Sequence, residues 1–168
     1  GLAGDGPRFG KTWAVYNGEV TTDTVVAVGL YGKHINIGHG SRGGWDVFGP
    51  ERRITKSEGN VVYEIDGTPA LKLYKEYLGE RAAELPASGL LFPISIRKDK
   101  NDKNSVVRTI LAVDESNQSL TFAGDVPTGC LAQLMRANFD KLIASAEEAG
   151  AVAETGNSNS LEPQLSIA

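Results

Sequence analysis

Short apolar segments separated by turn-forming dipeptides constrain this sequence more than any other feature. Thr24–Tyr31, Val61–Ile65 and Val106–Val113 are apolar stretches of strand length. Asn17-Gly18 and Asp66-Gly67 are dipeptides typical of tight hairpin turns. Strand-length segments that are joined by such turns favour neighbouring antiparallel strands. We therefore expect a strand-rich fold.

Other segments with strand character lie along most of the chain. In His34–His39, apolar side chains alternate with polar ones, and Thr24–Tyr31 is apolar on both faces, which is typical of a strand covered on both sides. The remaining predicted strands are Thr12–Tyr16, Arg52–Lys56, Leu90–Arg97, Leu120–Ala123 and Cys130–Met135.

Two stretches have the spacing of helices instead. The first has Thr68 as a capping residue, Pro69 in the first turn and Gly79 as its predicted end. The second follows Asn138, which can cap it. The apolar stripes of the two helices are Ala70, Leu73, Tyr74 and Tyr77, and Phe139, Leu142, Ile143 and Ala146. The predicted fold class is α+β, a largely antiparallel sheet with two or more helices packed against it.

Charge and cysteine content exclude several function classes. The 168 residues carry a net charge of −4, which argues against general nucleic-acid binding and against attachment to an anionic membrane. Cys130 is the single cysteine, so nothing requires an oxidising compartment. No apolar run has the length of a membrane span. We expect a cytoplasmic location.

The residues that usually carry catalysis do not form a known constellation. His34 and His39 lie five positions apart, on opposite faces of the predicted strand, which is a poor spacing for zinc. Cys130 has no histidine near it in sequence and is expected to be a buried structural thiol. No nucleophile elbow, P-loop or dinucleotide fingerprint occurs. The sequence thus predicts no catalytic residue, no metal and no cofactor.

A glycine-rich segment is the first candidate for ligand binding. It is Ser41-Arg42-Gly43-Gly44-Trp45, which combines a hydroxyl, a guanidinium, backbone N–H groups and a large aromatic ring. These groups suit a pocket that holds a carboxylate and covers an apolar side chain. The alternative is an ordinary loop in which Trp45 fills an apolar gap.

Three charged residues are further candidates. Alternation places Arg108 on one face with Val106, Ile110 and Ala112, and a buried arginine needs an anionic partner. That partner is either an internal acid, such as Asp125 or Asp5, or the carboxylate of a ligand. Asp125 and Asp5 are each either turn residues or contacts for a ligand's amine.

Four groups of motifs together resemble the FIST family, whose name stands for "F-box and intracellular signal transduction". In the run Ile54–Leu71, a strand, an Asp-Gly turn and a helix that opens with Pro-Ala follow one another, as in the C-terminal FIST region. The other matching motifs, in the family's order, are Gly4-Asp5-Gly6 with Tyr16–Val20, then Gly44-Trp45 with Gly49-Pro50, and last Leu111–Asp114, Gly124–Pro127 and Leu134–Arg136.

The resemblance implies a domain division and a function. Residues 1–50 would be the end of the N-terminal FIST region, residues 51–150 the C-terminal FIST region, and residues 151–168 a linker with the start of a truncated segment. The family implies a sensory domain of a bacterial signal transduction protein that binds a small molecule, with amino acids the proposed ligands, and acts on a signalling output domain or protein. Two alternatives stay open. They are an enzyme acting on small carboxylates or amides through Cys130 or His39, and a protein–protein interaction module.

Overall fold

The computed structural model describes residues 3–8 and 10–155. The chain divides into two compact units. The first, which we call the terminal unit, combines Gly1–Gly44 with Asn138–Ala168. The second, which we call the sheet unit, is Trp45–Ala137.

Most of the regular structure belongs to the sheet unit. The terminal unit contains a 3-10 turn at Gly6–Arg8, strands β1 (Ala14–Tyr16) and β2 (Glu19–Thr21), and one long helix near its end. The strands of the sheet unit are β3 (Trp45–Val47), β4 (Arg52–Glu58), β5 (Val61–Ile65), β6 (Thr68–Pro69), β7 (Ile94–Arg97), β8 (Val106–Arg108), β9 (Ile110–Asp114), β10 (Ser119–Phe122) and β11 (Leu131–Ala137). The helical segments are α1 (Ala70–Leu78), 3-10 turns at Gly79–Glu84 and Ala87–Leu91, and the long helix α2 (Phe139–Thr155).

The strands of the sheet unit form one nine-stranded sheet within the described residues. Its main order is β8-β7-β11-β4-β5-β10-β9, while β3 pairs with β11 and β6 pairs with β5. Every one of these pairs is antiparallel. The predicted fold class, α+β with a largely antiparallel sheet, is therefore confirmed.

The two ends of this sheet are consecutive in the chain. Strand β8 ends at Arg108 and β9 begins at Ile110, so Thr109 alone separates them. One half of this bent segment pairs with β7 and the other half pairs with β10. Because residues 108 and 110 are only two peptide units apart, the sheet must curve until its ends meet at Thr109. The carbonyl of Thr109 accepts a hydrogen bond from the N–H of Ala123 at 2.8 Å.

Helix α1 packs against the sheet through the stripe that its spacing predicts. Leu71 is fully buried, and Leu73 and Tyr74 are nearly so. The 3-10 turn at Ala87–Leu91 also contacts the sheet, at β9. The largest fully buried side chains of the core are Phe122, Ile54, Leu71, Ile110 and Leu120.

The predicted ends of α1 are correct at one side only. Gly79 ends the helix with a φ of 58°, a left-handed conformation that glycine adopts without strain. At the other side, Thr68 does not cap the helix. Thr68-Pro69 instead pairs with β5 as the short strand β6, because the Asp66-Gly67 turn returns the chain antiparallel to β5.

The first predicted hairpin is present in the terminal unit. Asn17 and Gly18 both have positive φ values, 51° and 83°, which is the backbone of a two-residue hairpin turn between β1 and β2.

The prediction of two strands after this hairpin, Thr24–Tyr31 and His34–His39, is wrong. Residues 24–39 form no strand, and Val25, Val28 and Tyr31 are about nine-tenths exposed. An apolar segment becomes a strand only where a neighbouring strand satisfies its N–H and C=O groups. Within the described part of the chain, no strand pairs with this segment.

Helix α2 is longer than its sequence pattern indicates. Asn138 caps it as expected, since its side-chain oxygen accepts the Lys141 N–H at 3.1 Å. The helix continues to Thr155, so residues 151–155 do not belong to the irregular linker predicted from residue 151. The rest of that predicted linker, residues 156–168, lies outside the described residues. The apolar stripe is not a core face, since Phe139 and Ile143 are each 72% exposed.

Candidate functional site

Arg108 and Asp125 lie next to each other in the sheet unit. The Nε of Arg108 donates to the backbone carbonyl of Asp125 at 2.9 Å, and a terminal nitrogen donates to the carbonyl of Val107 at 3.4 Å. The guanidinium lies against Gly124, where a Cβ atom would be 3.2 Å from both its Nε and its Cζ. The guanidinium fits against the backbone here because Gly124 has no side chain.

Arg108 is not the deeply buried ion pair that strand alternation predicts. It is half-buried, and its predicted neighbour Val106 is 49% exposed, because the strand bends at Thr109 and turns only Ile110 inward. Among the described residues, no carboxylate forms an ion pair with Arg108. Asp125 is exposed and is joined to Arg108 only through its backbone. Arg108 thus has a backbone partner in place of the predicted acid, while the carboxylate of Asp125 faces solvent.

Asp5 belongs to the terminal unit and organises a turn. Its Oδ2 accepts the N–H groups of Gly10 at 2.7 Å and Lys11 at 3.0 Å. This is the turn-stabilising role that its position between two glycines made one of the alternatives.

The segment Ser41–Gly44 lies against helix α2. The Nε of Arg42 forms an ion pair with Glu148 at 2.9 Å, and the hydroxyl of Ser145 donates to the carbonyl of Gly43 at 3.2 Å. Gly44 is buried, and a Cβ atom there would lie 2.4 Å from the backbone nitrogen of Leu142. Trp45 follows as the first residue of β3, in the sheet unit.

Two earlier glycines of the same segment approach the helix as closely. A Cβ atom at Gly38 would lie 1.9 Å from the carbonyl oxygen of Ala153, and one at Gly40 would lie 1.9 Å from that of Ala149. Any larger residue at either position would force the two elements apart. The glycines of this segment therefore let backbone pack on backbone, a structural reason that differs from the predicted ligand contact.

The predicted site residues are therefore divided between the two units. Asp5, Ser41, Arg42, Gly43 and Gly44 belong to the terminal unit, and Trp45, Arg108 and Asp125 belong to the sheet unit. The structure brings together Arg108 with Asp125, and Ser41–Gly44 with α2. The role of all eight residues in ligand binding stays a prediction.

The residues considered for catalysis differ in their exposure to solvent. Cys130 is buried, as expected, and burial raises the pKa of its thiol, which disfavours the reactive thiolate. His34 and His39 are both exposed. Over residues 3–8 and 10–155, no group of three or more histidine, cysteine or acidic side chains is placed to hold a metal ion.

A pocket that the sequence pattern did not indicate opens between α1 and the sheet. It measures about 30 Å³, its walls are mainly apolar, and Arg52 and Tyr77 are among its lining residues. The Nε of Arg52 donates to the hydroxyl of Tyr77 at 2.8 Å. Two signals could have indicated it. Arg52 shares a strand face with Ile54, and Tyr77 ends the apolar stripe of α1, where a tyrosine is buried at the ring and polar at the tip.

In the described part of the chain, no helix is both long enough and apolar enough to cross a bilayer.

Comparison with known proteins identifies the family. An uncharacterised protein of Methanocaldococcus jannaschii is 31% identical over 163 residues, an alignment that covers 86% of this chain and 30% of the relative. The chain thus spans about a third of the length of that relative. No solved structure matches the chain. The FIST N domain matches residues 1–68 and the FIST C domain matches residues 70–165. These two matches cover nearly the whole sequence, and the chain therefore belongs to the FIST family, a family of sensory domains associated with signal transduction.

Proposed function

We propose that this chain senses a small molecule that carries a carboxylate, an α-amino acid, within a signal transduction protein. The observation that carries the proposal is the state of Arg108. Its guanidinium is fixed by two backbone carbonyls, it is half-exposed, and it has no ion-pair partner in the described structure.

A guanidinium in this state is suited to bind an anion. Backbone carbonyls orient its N–H groups but leave its charge uncompensated, so an incoming carboxylate gains a charge-assisted hydrogen bond without displacing an acid. An arginine that already holds a carboxylate offers an incoming anion fewer free N–H groups and less uncompensated charge. Arg108 thereby supports recognition of the carboxylate group of a ligand.

Asp125 supports the choice of an amino acid among small carboxylates. Its backbone carbonyl holds Arg108, and its own carboxylate is exposed and matches the ammonium group that an amino acid carries next to its carboxylate. A cation without an ion-pair partner and an exposed anion on neighbouring segments suit the two charges of a zwitterion. That Asp5 and Ser41–Trp45 contact a ligand stays a separate prediction.

The proposal includes a partner and a compartment. Sensing requires that binding be transmitted, so we place a signalling output domain or protein next to this chain, in the cytoplasm. The enzyme alternative through Cys130 gains no support from the structure, because that thiol is buried and its pKa is raised. The alternative through His39 stays untested.

Amino acids screened one at a time by thermal shift test the proposal. A ligand at about 100 times its Kd should stabilise the folded state by roughly 2.7 kcal/mol. Arg108→Gln should weaken that ligand at least about tenfold, since it removes the charge and keeps most of the length of the side chain. Asp125→Asn should weaken it as well.

Arg136→Gln is the matched control, because Arg136 is an exposed arginine of the same unit, on β11. It should bind the ligand like the parent. If none of the amino acids shifts the melting temperature, or if Arg108→Gln binds as tightly as the parent, the proposed recognition is wrong.

A further inference from the structure

The pocket between α1 and the sheet shares no lining residue with the group formed by Arg108, Gly124 and Asp125, which we call the Arg108 corner. Its walls are apolar side chains from the helix and from several strands, chiefly Ile65, Leu73, Tyr74, Leu120, Ala132 and Leu134. All of them are buried. The pocket is therefore an apolar space lined by the core itself.

The size of the pocket limits what can enter. A space of about 30 Å³ is small. On this measure a single water needs roughly 10–15 Å³, so the pocket holds about two or three groups of water or methyl size. A branched or linear aliphatic end of two or three carbons fits, and an aromatic ring does not.

The polar side chains at the pocket are Arg52, Tyr77 and Gln133, and the amide nitrogen of Gln133 donates to the carbonyl of Gly49 at 2.9 Å. Arg52 donates through Nε to Tyr77 at 2.8 Å and through Nη1 to Asp66 at 3.1 Å, and its Nη2 has no partner among the described residues. The hydroxyl of Tyr77 accepts from Arg52, so its own hydrogen is left to donate. The other oxygen of Asp66 accepts the backbone N–H of Arg53 at 2.9 Å, so that carboxylate is held in place.

We infer that this pocket binds a short-chain aliphatic carboxylate. Its hydrocarbon end would occupy the space beside Leu73 and Ala132, and its carboxylate would accept hydrogen bonds from Nη2 of Arg52 and from the hydroxyl of Tyr77. A cationic head group would meet the positive charge of Arg52. This site differs from the amino-acid site of the proposed function in its residues.

Isovalerate is the probe, because its isopropyl end matches the volume and its carboxylate matches the donors. Methyl resonances of Leu73, Ile65 and Leu134, recorded by NMR in the full chain, should shift saturably with isovalerate. Isoamylamine, which has the same branched end and the opposite charge, should leave them in place. Isovalerate without effect on these methyl groups would overturn the inference.

Two variants locate the binding. Ala132→Val adds two methyl groups inside the pocket, opposite Arg52 in the β4–β11 register, and should abolish binding while the fold is kept, since valine is favoured in strands. Arg52→Gln should weaken binding at least about tenfold. Arg53→Gln is the matched control, because Arg53 is the exposed next residue of the same strand and does not line the pocket.

The Arg108→Gln variant separates this site from the proposed amino-acid site. It should bind isovalerate like the parent. If Arg108→Gln loses isovalerate while Ala132→Val keeps it, the carboxylate binds at the Arg108 corner and the pocket inference is wrong. If Ala132→Val loses isovalerate while no amino acid binds the chain at all, the pocket stands and the proposed function does not.

Discussion

At the scale of single residues, three arginines of the sheet unit differ in the groups that their guanidinium contacts. Arg97 is held by both oxygens of Glu51, at 2.6 and 3.0 Å, and this hydrogen bonding lowers the pKa of Glu51. Arg52 is shared between Tyr77 and Asp66, and Arg108 contacts backbone carbonyls. The charge available to a ligand therefore increases from Arg97 to Arg52 to Arg108, although all three are half-buried.

The sequence pattern predicted that Arg108 and Asp125 could be partners, but not that Arg108 would bind the backbone carbonyl of Asp125. Alternation along a strand gives the face of a residue only while the strand stays regular. The bend at Thr109 ends that regularity, and a backbone carbonyl, which carries no sequence signature, replaces the expected acid. The burial of Cys130 was predictable, because an apolar strand next to a tight turn fixes the side of the sheet it faces.

Cys130 gives a prediction at this scale. Burial removes the thiol from solvent and raises its pKa above the usual value, so the thiolate is scarce at neutral pH. Labelling by a thiol reagent should therefore be at least about 100-fold slower in the folded protein than in denaturant. The chain has one cysteine, so the reaction reports this residue alone. Labelling at comparable rates in both states would contradict a structural role and reopen the catalytic alternative.

At the scale of elements, the predicted helices and strands form where the rest of the chain offers them a packing partner. Helix α1 and strands β4 and β5 appear where their periodicity predicts them, and each packs into the same core. Residues 24–31 have an equally strong strand pattern and form none. A pattern specifies which face is apolar, but the pairing partner that turns it into a strand lies elsewhere in the chain or outside it.

The segment that contains Gly38, Gly40 and Gly44 packs on α2, and two similar glycine-to-alanine substitutions should change the stability of this helix in opposite directions. Gly40→Ala should separate the segment from the helix, because its Cβ would lie 1.9 Å from a carbonyl oxygen of Ala149. Gly150→Ala, the matched control, adds a methyl group with nothing within 4 Å on the helix itself and should stabilise α2 by roughly 0.5–1 kcal/mol.

Amide exchange and urea unfolding separate the two outcomes. Faster exchange of the amides in α2 is expected for Gly40→Ala and slower exchange for Gly150→Ala. Equal exchange in Gly40→Ala and the parent would show that the segment does not rest on the helix.

At the scale of the whole molecule, the apolar core is confined to one unit. Every residue of the main buried cluster lies between Phe48 and Leu134. In the terminal unit the long helix has no buried residue, and Val25, Val28 and Tyr31 are largely exposed. Stability therefore rests on the sheet unit.

The sheet unit should fold on its own. Its first strand begins at Trp45 and its last ends at Ala137, and these two residues are register partners, so excision leaves two paired strand ends side by side. A fragment of residues 45–137 should unfold cooperatively in urea. Ile54→Ala, which truncates a fully buried side chain, should cost about 2–5 kcal/mol in both fragment and full chain.

A second fragment, of residues 51–137, tests where the domain begins. It starts at the boundary that the family resemblance implied and lacks β3 and Phe48. Phe48 donates its N–H to the carbonyl of Leu134 at 2.8 Å, and its ring packs edge-on against Tyr77 and Phe92. Removing a fully buried aromatic side chain typically costs about 3–5 kcal/mol. Phe48 is half-buried, so together with the loss of β3 its removal should still leave this fragment clearly less stable than residues 45–137. Equal urea midpoints for the two fragments would place the start of the folding unit at residue 51 and make β3 dispensable.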